Sequence, residues 1–186
     1  MNVWFSVISA VTALAGAWGG QWISARRDDR RWEREQRRED LRWDRDERRD
    51  RRDRTLRAYV DFLTKLRQYL SAATKMQTAV VNRSMGAGNE HDVVASEHEV
   101  DLLYHELAEK VAAVEVFAPL EIYARAEAAT SFARELWGTL WDSWAAVNGP
   151  EPANADETVA AIKAAKRKAW EARTVFVEQI REYLDG

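Results

Sequence analysis

No charged side chain occurs between Met1 and Ala25, and nearly every residue from Arg26 to Arg54 is charged. That step in polarity divides the chain by solvent before any secondary structure is assigned. The apolar stretch from Val3 to Ile23 has the length that crosses a hydrocarbon core, about 20 residues. A single segment can do so only as a helix, because lipid offers no partners to backbone amides and carbonyls. Trp4 lies near one end of it and Trp18 and Trp22 near the other, where indoles favour the membrane interface. Residues 1–25 are therefore expected to form a transmembrane anchor. Ala15-Gly16-Ala17 offers the small residues of a signal-peptidase site, but no Lys or Arg precedes the apolar run. Arg26, Arg27, Arg30 and Arg31 follow it at once, as in a stop-transfer flank. Positive-inside bias then places the N-terminus outside the cell inner membrane and the rest of the chain in the cytoplasm, with these four arginines at the lipid headgroups. Gly16 and Gly20 form a GxxxG pair and Thr12 extends the same small-residue face, a surface on which two spans can associate. A homo-oligomer is expected on that ground.

The charged run reads as a helical stalk over 26–54. It holds 14 Arg against 11 Asp or Glu, interrupted by Trp32, Gln36, Leu41 and Trp43, and neither Gly nor Pro breaks it. Glu33 with Arg37, Asp44 with Arg48, Glu47 with Arg51 and Asp50 with Arg54 fall at i,i+4 in the favourable order, each worth about 0.2–0.5 kcal/mol. Many such pairs hold a solvated helix that buries nothing. An arginine-rich helix invites a nucleic-acid reading, but interleaved carboxylates oppose the field that phosphate binding needs, so no nucleic-acid partner is expected.

After Arg54 apolar residues recur at three- and four-residue steps, the period of amphipathic helices. The first helix of this body uses Leu56, Tyr59, Val60, Leu63, Leu66, Leu70, Ala73 and Val80, and ends in the Ser84-Met85-Gly86-Ala87-Gly88-Asn89 loop. The second uses Val93, Val100, Leu103, Leu107, Val111 and Val114 and stops before Pro119, since proline restricts its predecessor and suits a helix start. The third runs from Leu120 to Val147 through Ile122, Ala126, Ala129, Ala133, Leu136 and Leu140, and Asn148-Gly149-Pro150 ends it. A fourth follows Asn154, which has capping-box spacing to Glu157. It carries Val159, Ile162, Ala169, Phe176, Ile180 and Leu184. The expected architecture is all-α: a transmembrane helix, a charged stalk, and an antiparallel four-helix bundle over 55–186.

Chemistry is sparse. The chain has no Cys, which removes disulfides, thiolate metal sites and cysteine nucleophiles. His91, His98 and His105 are seven residues apart, about 10.5 Å along a helix, too far to share one ion. Each lies two residues before the Val93, Val100 and Leu107 seam and so faces water. P-loop, dinucleotide, HExxH and GxSxG patterns are absent from the sequence. No catalytic set, metal or cofactor is expected, and the chain does not read as an enzyme. Trp137, Trp141 and Trp144 follow i,i+4,i+7 spacing beside a seam already filled by Leu136, Leu140 and Val147. That apolar arc is wider than one core contact needs, which makes the tryptophans a candidate partner-binding surface.

The uncharged N-terminal segment, the Arg/Asp/Glu stalk and the bundle with its Val116-Phe117-Ala118-Pro119 break resemble, in layout, uncharacterised small single-pass membrane proteins of high-GC actinobacteria. The resemblance implies a bacterial inner-membrane location and carries no catalytic residue. The expected function is a membrane-anchored scaffold or adaptor that self-associates and recruits a cytoplasmic protein partner; a pore-forming or membrane-perturbing effector is the alternative.

Overall fold

The computed structural model describes the backbone over 3–148 and 155–185 and the side chains of residues 32, 33, 35–148 and 156–185. Among the described residues it is all-α, with four helices: α1 (Val3–Ser84), α2 (Glu90–Phe117), α3 (Leu120–Val147) and α4 (Ala155–Asp185). No helix among the described residues is long and apolar enough to cross a membrane. Of the anchor expected over 1–25, with Thr12, Gly16 and Gly20, only the backbone from Val3 onward is described; its side chains lie outside the described ones, as do those of Arg26, Arg27, Arg30 and Arg31. The chain divides into two units, Met1–Asp50 and Arg51–Gly186.

In the second unit a helical bundle forms around a stripe with two alternating steps. On α1 the residues Thr55, Tyr59, Phe62, Leu66, Tyr69, Ala73, Met76 and Val80 recur at steps of four and three, and all are buried. On α3 the same alternation runs through Ile122, Ala126, Ala129, Ala133, Leu136, Leu140 and Ser143, again all buried. On α2 only every seventh residue, Val93, Val100, Leu107 and Val114, is fully enclosed. A mean step of 3.5 residues keeps one narrow stripe turned towards neighbouring helices. Val60, expected in the core, is instead 60% exposed, while Phe62, Tyr69 and Met76 are enclosed in its place. The reason is register: once Tyr59, Leu66, Ala73 and Val80 define the frame, Val60 stands about 100° beyond it.

Contacts between the helices fix their directions. Lys65 meets Glu106 at 2.5 Å and Lys75 meets Glu99 at 3.0 Å, so α1 and α2 are antiparallel. The Arg134 Nε donates to the Tyr104 hydroxyl at 2.9 Å between α3 and α2, and Lys168 reaches Glu135 at 2.5 Å between α4 and α3. Phe176 of α4 packs edge-on against Phe62 of α1, with ring centroids 4.9 Å apart. Tyr69 crosses the interior and donates to the Ala133 carbonyl of α3 at 2.6 Å.

The turns follow from local chemistry. After α1, Gly86 takes φ +75°, a left-handed conformation that costs other L-residues energy. The amides of Ala87 and Gly88 then both donate to the Asn82 carbonyl. A Cβ on Gly88 would lie 3.0 Å from the Arg83 backbone nitrogen, so that close return also favours glycine. Asn89 caps α2 by accepting from the Asp92 amide at 2.9 Å. Pro119 opens α3, and its carbonyl accepts from the Ile122 and Tyr123 amides.

Candidate interaction surface

On α3 each tryptophan stands one residue past a core position: Trp137 after Leu136, Trp141 after Leu140 and Trp144 after Ser143. One residue turns a helix by about 100°, so the stripe lies on a flank of the seam. Arg134 opens the same flank three residues earlier and bonds to Tyr104, which shows that this side of α3 turns towards α2. The Arg134 guanidinium also lies 5.9 Å from the Tyr104 ring centre. Trp137 and Trp144 pack against the core, whereas Trp141 is 48% exposed. Trp137 and Trp141 are neighbours, with ring centres 6.2 Å apart and planes tilted by 48°. Two of the three indoles thus complete the bundle, and Trp137 braces the third at the surface.

The opposite flank of α3 meets α4. There Phe132, Ala128, Ala172 and Val175 line a groove of about 230 Å³ that Arg125, Lys168 and Glu171 border. Its volume falls below the roughly 300–1,000 Å³ of pockets that enclose drug-sized ligands. Nothing in the sequence distinguished this groove, because Phe132 and Val175 belong to different helices and each resembles a residue flanking its own seam. The indole of Trp170 on α4 is also half-exposed, and the Arg173 guanidinium lies 5.3 Å from its centre.

His91, His98 and His105 are all exposed, as their offset from the α2 seam requires. His105 Nε2 lies 3.7 Å from Asp101 one turn earlier. Among the described residues, no group of three or more metal-ligating side chains converges.

Two phenols are held inside the bundle. Burial raises the Tyr69 pKa well above the usual tyrosine range, with the nearby Tyr104 adding to it. Burial likewise pushes Tyr59 up to about 12, with a smaller contribution from Tyr183. Tyr69 spends its proton on Ala133, while the Tyr59 hydroxyl has no hydrogen-bond partner among the described residues. Both stay neutral across the physiological range and offer no titrating group for proton transfer.

Comparison with protein-family models, curated proteins and solved structures finds no match. The resemblance of layout to actinobacterial membrane proteins therefore rests on the sequence alone.

Proposed function

We propose that this chain is a single-pass, membrane-anchored helical scaffold or adaptor that self-associates and recruits a protein partner on the cytoplasmic side. The observation that carries the recruitment reading is Trp141, half-exposed and braced by Trp137 on a helix whose core positions are already filled. An indole held at the surface offers a large apolar area at little entropic cost, the usual composition of an interface anchor. Anchoring is supported by the uncharged residues 1–25 and by Arg26, Arg27, Arg30 and Arg31 directly after them. Self-association draws on Thr12, Gly16 and Gly20.

The test has two arms. Membranes washed at high salt and alkaline pH retain the full chain and release a version lacking residues 1–25. In-cell crosslinking of the anchored chain yields a partner adduct that Trp141→Ala loses while the bundle keeps its melting temperature. A full-length chain found wholly in the soluble fraction removes the anchor. Adducts unchanged by Trp141→Ala remove the recruitment surface.

A further inference from the structure

Register carries the charged part of α1 further than its composition does. In the first unit Arg38, Leu41, Arg45 and Arg48 recur at steps of three, four and three, and all are exposed. Two residues further on, Asp40, Trp43, Glu47 and Asp50 repeat the same steps and are likewise exposed. Two residues turn a helix by about 200°, so these are opposite faces. One is an arginine column interrupted by Leu41, the other an acidic column interrupted by Trp43. In sequence the same register begins earlier, with Glu33 and the uncharged Gln36. Asp40, Glu47 and Asp50 thus stand behind Arg38, Arg45 and Arg48 rather than among them. A helix is about 10–12 Å across with its side chains, wider than the Debye length of about 8 Å at physiological salt, so charges on opposite faces are largely screened from one another.

Pairing about a two-fold axis through the arginine column sets arginine against arginine and is excluded by like-charge repulsion. Basic face against acidic face is a different matter. With two parallel copies shifted by two residues, about 3 Å along the axis, Arg38 meets Asp40, Arg45 meets Glu47 and Arg48 meets Asp50. In the same alignment Leu41 meets Trp43, which joins two exposed apolar side chains, 57% and 78% exposed.

We propose that the charged helix docks side by side on a second copy of this chain, arginine column against acidic column, in parallel orientation. The parallel direction rests on the membrane-anchor reading above, since spans in one bilayer share a direction. The contact is heterologous: each copy uses one face and presents the other to a further copy. Association consequently does not end at two copies, unlike a closed dimer held by a single GxxxG face.

The experiment is sedimentation of the full chain in mild detergent over a concentration series, at about 0.1 M and about 1 M salt, where the Debye length is about 10 Å and about 3 Å. The native chain is expected to grow beyond a dimer at the lower salt and to shrink at the higher. Arg38→Glu with Arg48→Glu makes both faces acidic, and Asp40→Arg with Asp50→Arg makes both basic. Each double variant is expected to need at least about tenfold more protein to assemble, because like charges then face each other. Mixing the two variants restores assembly, as does placing all four substitutions in one chain, and far-UV circular dichroism verifies that the helices persist. A native chain whose size ignores salt overturns the proposal, and so does a folded mixture that stays dissociated. Assembly lost in Gly16→Ile with Gly20→Ile but untouched by the charge swaps also overturns it, while leaving the span-mediated self-association standing. If the chain needs no detergent, the anchor reading fails separately, and the same series run in buffer still tests the columns.

Discussion

Tyr69 and Tyr59 lie ten residues apart on α1, both enclosed, and removing one oxygen from each should move stability in opposite directions. Tyr69→Phe deletes a buried hydrogen bond of 2.6 Å to the Ala133 carbonyl. A bond of this kind contributes about 0.5–1.5 kcal/mol net, and Ala133 sits mid-helix, where its carbonyl retains a backbone partner. The expected loss is about 1 kcal/mol. Tyr59→Phe deletes a hydroxyl with no partner among the described residues, relieving an uncompensated desolvation of about 1–3 kcal/mol. Tyr59→Phe is therefore expected to exceed the native chain, with a gap of about 2 kcal/mol or more between the two variants. Urea unfolding followed by far-UV circular dichroism near neutral pH reads this as opposite midpoint shifts at unchanged slope. Alkaline pH supplies a second readout. The Tyr59 pKa rises from 10.0 in the unfolded chain to about 12 in the bundle, so the native state holds this proton when the unfolded state has lost it. The stabilisation is fully present below pH 10 and is lost as pH climbs towards 12, at up to about 1.4 kcal/mol per pH unit. Tyr69, raised further, adds a loss that continues to higher pH. The tyrosine part is read as the difference in slope between the native chain and each Phe variant. Tyr69→Phe proving as stable as Tyr59→Phe, or alkaline slopes that both variants share with the native chain, would refute the reasoning.

Three further expectations concern packing and turns. Phe176→Ala removes the ring that meets Phe62 at 4.9 Å and Tyr59 at 6.3 Å and should cost about 3–5 kcal/mol, read as a lower urea midpoint. Gly86→Ala meets no steric neighbour within 4 Å, so its expected cost of about 1–2 kcal/mol comes only from φ +75°, and Gly86→Asn should recover part of it. Asn89→Ala removes the side-chain acceptor for the Asp92 amide and should lower stability by about 1 kcal/mol, whereas Asn89→Asp should retain most of it.

The helix ends were legible because each has its own chemistry: the Gly86 and Gly88 loop, Ala118-Pro119 and Asn148. The seam of α3 was equally plain, since its small and branched residues alternate with charges. On α1 the sequence was harder to read. Val60 and Phe62 are both apolar, while Tyr59 and Tyr69 carry a hydroxyl, so hydrophobicity alone does not separate Val60 from the seam. Only the unbroken four-three alternation from Thr55 to Val80 separates them. The tryptophan stripe was visible from its spacing, but its division into two core-packed indoles and one exposed indole depends on how closely α2 approaches α3, which one helix's sequence does not encode. The α3–α4 groove and the Tyr69 bond arise between elements distant in sequence and left no local signal.

The beginning of the bundle on α1 is set differently from every other boundary. No glycine or proline marks it, and the backbone stays helical on both sides. The four-three frame that carries Val80, Met76, Ala73 and the residues before them reaches Thr55, whose hydroxyl lies 2.9 Å from the Arg51 carbonyl and 3.1 Å from the Phe117 carbonyl that closes α2. Three residues earlier the same frame holds Arg52, then Arg48 and Arg45, all exposed. A guanidinium buried without a partner costs several kcal/mol, more than a neighbouring helix could return by packing there. The bundle therefore stops where the frame changes from apolar side chains to arginine, while the helix itself continues. A single periodicity thus serves two purposes along one helix, enclosing a core in one stretch and presenting a charged column in the next.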